Sequence, residues 1–150
     1  MSLEKDIQQE KFANEYEKGA VNILFTSSWL HSLNAGRLKT HGLTPEQYNV
    51  LRILRGSHPR TMMLSDISCR MIDKNSNATR LVEKLRIKGL LKRERCENNR
   101  RQVDVFVTDK GLATLKKIDQ EESTWLAKLK NVTRAEALEL NRILDKLRGS

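Results

Sequence analysis

The sequence predicts a mainly α fold with one small β-hairpin: a helix-turn-helix unit with the hairpin behind it, flanked by N- and C-terminal helices. Three observations predict it. Apolar residues recur at helical spacing along most of the chain. Between residues 90 and 108 the pattern changes once to the alternation and β-branching of strands. Capping residues and glycines stand where helices of ordinary length would begin and end.

The first forty residues read as one long helix, or two in line. Phe12, Tyr16, Ala20, Ile23, Leu24 and Leu30 form one stripe; Val21, Phe25, Trp29 and Leu33 form a second. A helix apolar on two sides needs two partners, and a second copy of the chain is a candidate for one. The stretch GRLKTHG, residues 36–42, closes it with basic residues and glycine.

Residues 43–56 begin with unusually clear signals. Thr44 can cap, Pro45 takes the first helical position, Gln47 completes a capping box, and Leu43 and Tyr48 are spaced for a hydrophobic staple. Val50, Leu51 and Leu54 supply the buried face. After a break at residues 56–59, residues 64–72 give a short helix with Ile67 and Met71 inward, which also places Cys69 in a buried helix. Residues 73–75 form a turn, and residues 76–89 a second helix, apolar at Ala78, Leu81, Val82 and Leu85 and ended by Gly89. Two short helices joined by such a turn make a helix-turn-helix.

Residues 90–95 and 102–108 then read as strands, with CENNRR, residues 96–101, as a polar turn. Helical spacing returns with Leu112, Leu115, Ile118, Trp125 and Leu129. Thr133 and Glu136 open a last helix that carries Ala137, Leu140, Leu144 and Leu147.

A chain of 150 residues is enough for one domain with a real core. No run approaches the length of a membrane span, and the first residues lack the apolar stretch of a signal peptide. The expectation is a cytoplasmic protein with no membrane role. Cys69 and Cys96 form neither a CxxC motif nor a secreted-type framework, and His31, His41 and His58 are scattered. No metal site and no cofactor is expected. With neither a glycine-rich phosphate loop, an HExxH motif nor a recognisable nucleophile setting, the chain is not expected to be an enzyme.

Charge says more. The chain carries 28 Lys and Arg against 19 Asp and Glu, a net +9. Residues 60–110 hold 13 basic and 7 acidic side chains, while residues 1–36 hold 3 and 5. A basic segment between less charged arms suggests one surface for a polyanion.

The order helix, helix, helix-turn-helix, β-hairpin, two helices resembles that of the MarR family of transcriptional regulators. The string LVEKLRIKGLLKRERCENNRRQVDVFVTDKG, residues 81–111, carries the resemblance most specifically. It has a recognition helix ending in Gly-Leu, a basic strand, a wing ending in Arg-Arg, a second strand, and Thr-x-x-Gly opening the next helix. LTPEQYNVLRIL and the Ser-x-x-Thr-Arg-Leu beginning at Ser76 match as well. The resemblance implies a winged helix-turn-helix flanked by dimerisation helices: a single MarR-like domain over residues 1–150. Within it, residues 1–40 and 109–148 would dimerise and residues 43–108 would bind DNA. One departure stands at the wing, where Asn99 replaces the family's usual Asp before Arg100 and Arg101. Neutral hydrogen bonds from Asn99 are one way to replace that carboxylate; a looser wing is the other outcome.

The face of residues 76–89 opposite the apolar side carries Ser76, Asn77, Arg80 and Lys84, with Thr79 at its edge. Asn can pair with adenine and Arg with guanine, so Asn77 and Arg80 are the expected base readers, and Ser76, Thr79 and Lys84 the expected phosphate contacts. Arg100 and Arg101 suit a narrow minor groove. Lys92 and Arg95 on the first wing strand, and more weakly Arg60 and Lys74, are further phosphate candidates. The partner so described is double-stranded DNA with an inverted repeat, read by a homodimer.

The resemblance further implies that the first and last helices intertwine with a second chain through Ile7, Phe12, Trp125, Leu126, Leu129, Leu140, Leu144 and Leu147. It also implies release of DNA by a small anionic or aromatic effector, in a cleft near Trp29, His31, His41 and Tyr48, although aromatic side chains at helical spacing are more often core. Repression is expected because a dimer lying across promoter DNA excludes polymerase without any further partner. The first helix lacks the cysteine that the family's hydroperoxide sensors carry. Cys96 in the wing, with the basic neighbours Arg93 and Arg95, is the weaker redox alternative. The competing reading is a winged helix used as a protein-protein module without specific DNA binding, since fold alone does not dictate function.

Overall fold

The computed structural model describes residues 2–149, Arg100 by its backbone alone. The chain forms two compact units, Met1–Thr114 and Leu115–Ser150. The first contains α1 (Leu3–Ile7), α2 (Glu15–Lys39), α3 (Pro45–Ser57), β1 (Met62–Met63), α4 (Leu64–Arg70), α5 (Ala78–Ile87), β2 (Leu91–Cys96) and β3 (Asn99–Val107). The unit boundary falls within α6 (Asp109–Gln120), and α7 (Glu122–Ala127) and α8 (Arg134–Leu147) follow.

The signalled helix start at residue 44 forms as expected. The Thr44 hydroxyl accepts the Gln47 N–H at 3.2 Å, and the Gln47 carboxamide accepts the Thr44 N–H at 3.2 Å. These bonds satisfy two amides that a helix start otherwise leaves unpaired. Helix α3 buries Val50, Leu51 and Leu54, and adds Gln47 and Tyr48 to the interior. Around it lie Ile67 of α4, Met71 just after it, Val82 and Leu85 of α5, and Leu91, Val105 and Val107 of the sheet, all buried.

The N-terminal arm divides. Asn14 caps α2 by accepting the Glu17 N–H at 2.9 Å, so the long helix starts at residue 15, and only five residues before it form the separate α1. Of the 25 residues of α2, Leu38 alone is buried; Tyr16 is 90% exposed and Leu24 71%. The predicted stripes are present in sequence but uncovered within one chain.

The sheet has three antiparallel strands in the order β1-β3-β2, not the two of the predicted hairpin. Strand β1 pairs Met62 with Val105 and Met63 with Asp104. Two consecutive methionines give no alternation, so the sequence carries no strand signal there. The hairpin is also tighter than predicted. Its strands run to Cys96 and resume at Asn99, so Arg100 and Arg101 belong to β3 beside the tip and not to a six-residue turn. A register shift between Arg95 and Cys96 absorbs the extra residues of β3.

Cys69 is exposed, contrary to the buried position expected for it. Ile67 of α4 and Met71 at its C-cap, four residues apart, are buried on one side, and the helical period turns Cys69 outward.

In the second unit, Leu115 and Ile118 of α6 are buried, whereas α7 and α8 bury no residue. Helix α8 opens on the expected capping box: Thr133 accepts the Glu136 N–H at 3.3 Å, and the Glu136 carboxylate accepts the Thr133 N–H at 2.7 Å. No helix among the described residues is long and apolar enough to cross a membrane.

Candidate nucleic-acid interface

Helix α5 is the centre of the candidate interface. Ala78, Val82 and Leu85 fix one side in the core, and the 3.6-residue period then turns Thr79, Arg80 and Lys84 outward, all three exposed. At this diameter a helix enters the major groove of DNA, and its exposed face meets base edges and phosphates.

Asn77 is the N-cap of α5, its Oδ1 accepting the Arg80 N–H at 3.0 Å. The residue stands one position outside the helix expected over 76–89, and part of its acceptor capacity is committed to the cap. Its amide N–H groups remain as donors beside Arg80. Ser76 is half-buried with its hydroxyl oxygen enclosed, which leaves it poorly presented to a phosphate.

Two shallow grooves flank α5. One, between α5 and β2, is lined by Asn77, Thr79, Arg80, Glu83, Lys84 and Arg93. The other lies towards the start of α3 and is lined by Thr44, Glu46, Gln47, Asp73, Ser76 and Arg80 among others. Arg80 borders both. The first groove adds Arg93 and Glu83 to the site, neither of which the sequence reading selected for it. Arg93 lies two residues beyond buried Leu91, so the period of β2 places both on one face of the strand. That alternation was the available signal.

Glu83 accepts both prongs of the Arg86 guanidinium, at 3.0 Å from Nε and 2.7 Å from Nη2, and lies 3.3 Å from Nη2 of Arg93. The Arg86 hydrogen bonds are the main reason its carboxyl sits below the ordinary carboxylate range; the charges of Arg86 and Arg93 add to them against the burial penalty. The Arg86 guanidinium is raised in turn.

The wing is tied to α5 from behind. Gly89, at φ +70°, ends the helix, and its carbonyl accepts the Thr108 hydroxyl at 2.7 Å. The same hydroxyl accepts the Gly111 N–H at 3.1 Å. The Thr-x-x-Gly motif is thus the joint between the end of α5, the end of β3 and the start of α6. Beside the hairpin tip the Asn99 carboxamide accepts the Arg101 N–H at 3.2 Å, a neutral bond at the start of β3, and Arg101 is exposed. The side chain of Arg100 lies outside the described residues. Lys92 and Arg95 are exposed on β2, as is Arg60 before β1. The ammonium of Lys74 donates back to the Cys69 carbonyl.

Tyr48, one of the aromatic groups expected near an effector cleft, is buried with the Arg37 and Arg52 guanidinium carbons 5.5 Å and 5.8 Å from its ring centre. His31 lies 3.8 Å from Glu46, and Trp29 is 45% exposed. None of the expected dimer residues is buried: Ile7, Phe12, Trp125, Leu129 and Leu144 are half-buried, and Leu126, Leu140 and Leu147 exposed.

Residues 43–103 match the family model described as MarR family. The chain is 35% identical over 80 residues to YkoM, an uncharacterized HTH-type transcriptional regulator of Bacillus subtilis (strain 168), a match covering 53% of this chain and 51% of that protein. It is 27% identical over 81 residues to the transcriptional repressor MprA of Escherichia coli (strain K12), covering 54% of this chain and 46% of that one. The chain therefore spans about half the length of the curated relatives it matches. A crystal structure of a MarR variant from E. coli complexed with operator DNA superposes with a TM-score of 0.79 at 22% identity, covering 92% of this chain and 99% of that one. At that identity the likeness shows the fold, a winged helix-turn-helix.

Proposed function

We propose that the chain, whose residues 43–103 match the model of the MarR family, is a sequence-specific DNA-binding transcriptional regulator of that family, a repressor that reads an inverted-repeat operator as a homodimer. The observation that carries the reading is the face of α5, where Arg80 and Lys84 stand exposed, anchored by three buried apolar residues, beside Arg93 of the wing strand. Arg80 has the chemistry for a guanine edge, and Thr79 and Lys84 for the phosphates on either side. Asn77 orients the helix as its cap and offers amide donors. Arg100 and Arg101 serve an adjacent minor groove.

One such head covers few base pairs, so two related by a two-fold axis, about one DNA turn apart, account better for specificity. Residues 1–40 and 109–148 are proposed as the dimerising arms around the DNA-binding region 43–108. What supports this is the apolar surface that a single chain leaves open on α2, α7 and α8. A dimer lying across promoter DNA excludes polymerase without any further partner, and the repressor MprA is among the relatives matched. Relief by a small anionic or aromatic effector, and action in the cytoplasm where the DNA is, complete the proposal.

Selection from a random-duplex pool, followed by binding of the winner at several salt concentrations, tests it. An enriched inverted repeat with half-sites about one turn apart and a steep salt slope is expected. No enrichment, with weak binding to every duplex, overturns it in favour of a protein-interaction module.

A further inference from the structure

Glu83 is the acidic member of the groove that Arg80, Lys84 and Arg93 also line. A carboxylate on a surface that faces DNA opposes the phosphates, so its presence there calls for a compensating role. Stability is a poor account of it. The side chains of Glu83, Arg86 and Arg93 are 36%, 45% and 43% exposed, and ion pairs so exposed add little. Moreover, Arg86 alone already satisfies the carboxylate through both its prongs. Arg93 is the second cation on the same group, and it comes from a different element, the first strand of the wing.

An arginine on a strand has a long, flexible stem and follows any nearby phosphate unless something holds it. We infer that Glu83 is a positioning residue for sequence discrimination: it holds the Arg93 guanidinium against the flank of α5, so that helix and wing present one fixed pattern of positive charge, and it withholds that charge from indiscriminate phosphate contact. The inference rests on the DNA-reading function proposed above. It makes an unusual demand, because removing the acidic group should strengthen binding to random DNA while weakening discrimination.

The variant E83Q keeps the size and helix propensity of the side chain and removes its charge. On the protein alone, NMR of the Arg93 guanidinium should show its rotation becoming faster in E83Q, with the unfolding midpoint little changed. With DNA, affinity for a random duplex should rise severalfold and the salt slope steepen by about one. The ratio of operator to random affinity should fall about tenfold, the scale of one good base contact. Adding R93A to E83Q should then change that ratio little further. Equal Arg93 mobility in both proteins overturns the inference, as do equal gains for both duplexes, which would make Glu83 a simple charge. Losses for both duplexes with a lowered midpoint overturn it too, as the mark of a structural role. If selection with the parent protein enriches no operator, the DNA-reading function fails and the role in discrimination with it; the mobility measurement then reports separately whether the clamp exists.

Discussion

Gly111 sits so close to Leu90 that a β-carbon on it would lie 2.2 Å from the Leu90 carbonyl oxygen and 2.7 Å from a methyl of Val107. The obstacle is backbone, which cannot swing aside. Gly111→Ala should therefore push α6 away from the end of α5 and break the Thr108 joint. A loss of about 1–3 kcal/mol is expected, the usual range for overpacking, read as a lower urea midpoint at unchanged slope. Affinity for DNA should fall with it, because the same joint sets the wing beside α5.

Arg80→Ala and Lys84→Ala separate base reading from charge. Arg80→Ala is expected to cost about 1–3 kcal/mol on the operator and to relax preference at the base pair it reads. Lys84→Ala should weaken operator and random duplex alike and make the salt slope shallower by about one. Titrations of both variants against both duplexes across salt check this; identical behaviour of the two would place Arg80 on a phosphate.

Much of this architecture is legible in the sequence, for local reasons. Thr44, Pro45 and Gln47 write a helix start in four residues, and Thr133 with Glu136 writes another; both formed as capping boxes. Gly89 marked the end of α5 because the left-handed position there favours glycine. What escaped was set by pairing across the fold. Met62 and Met63 become a strand only because β3 lies alongside, and the hairpin tip shortens because of a register shift that no periodicity encodes. Glu83 and Arg93, ten residues apart in sequence, join the site through a contact between α5 and β2. The chemistry of Asn77 suggests a base reader, whereas the structure uses its side chain first as a cap.

Glu4 and Lys18 form an ion pair between α1 and α2. The Lys18 ammonium, donating to the carboxylate, brings the Glu4 carboxyl down to about 2, and the lysine is raised in return. A carboxyl depressed on folding stabilises the fold above its unfolded pKa, about 4.3 for Glu. That contribution is lost as pH falls from there through about 2. Acidification across this window should loosen α1 from α2, seen as faster amide exchange in Leu3–Ile7. Glu4→Gln should show the same loosening at neutral pH and little further change on acidification. An NMR titration placing Glu4 in the ordinary carboxylate range would refute the pairing.

Leu140 and Leu147 are 52% and 68% exposed on α8, a helix with no buried residue, and Leu126 on α7 is 42% exposed. Apolar side chains in that number along a terminal helix fit a surface that a second chain covers. The double variant Leu140→Glu, Leu147→Glu places two charges where burial would leave them unpaired, a cost that adds to that of the lost apolar contacts. Neither leucine belongs to the interior of one chain, so its own fold should survive, with a circular dichroism spectrum close to the parent's. Sedimentation should then report a monomer, against the dimer expected of the parent. Operator affinity should fall by orders of magnitude towards that of a single half-site, while affinity for one isolated half-site stays nearly constant. A dimer persisting in the double variant would move the interface off α8.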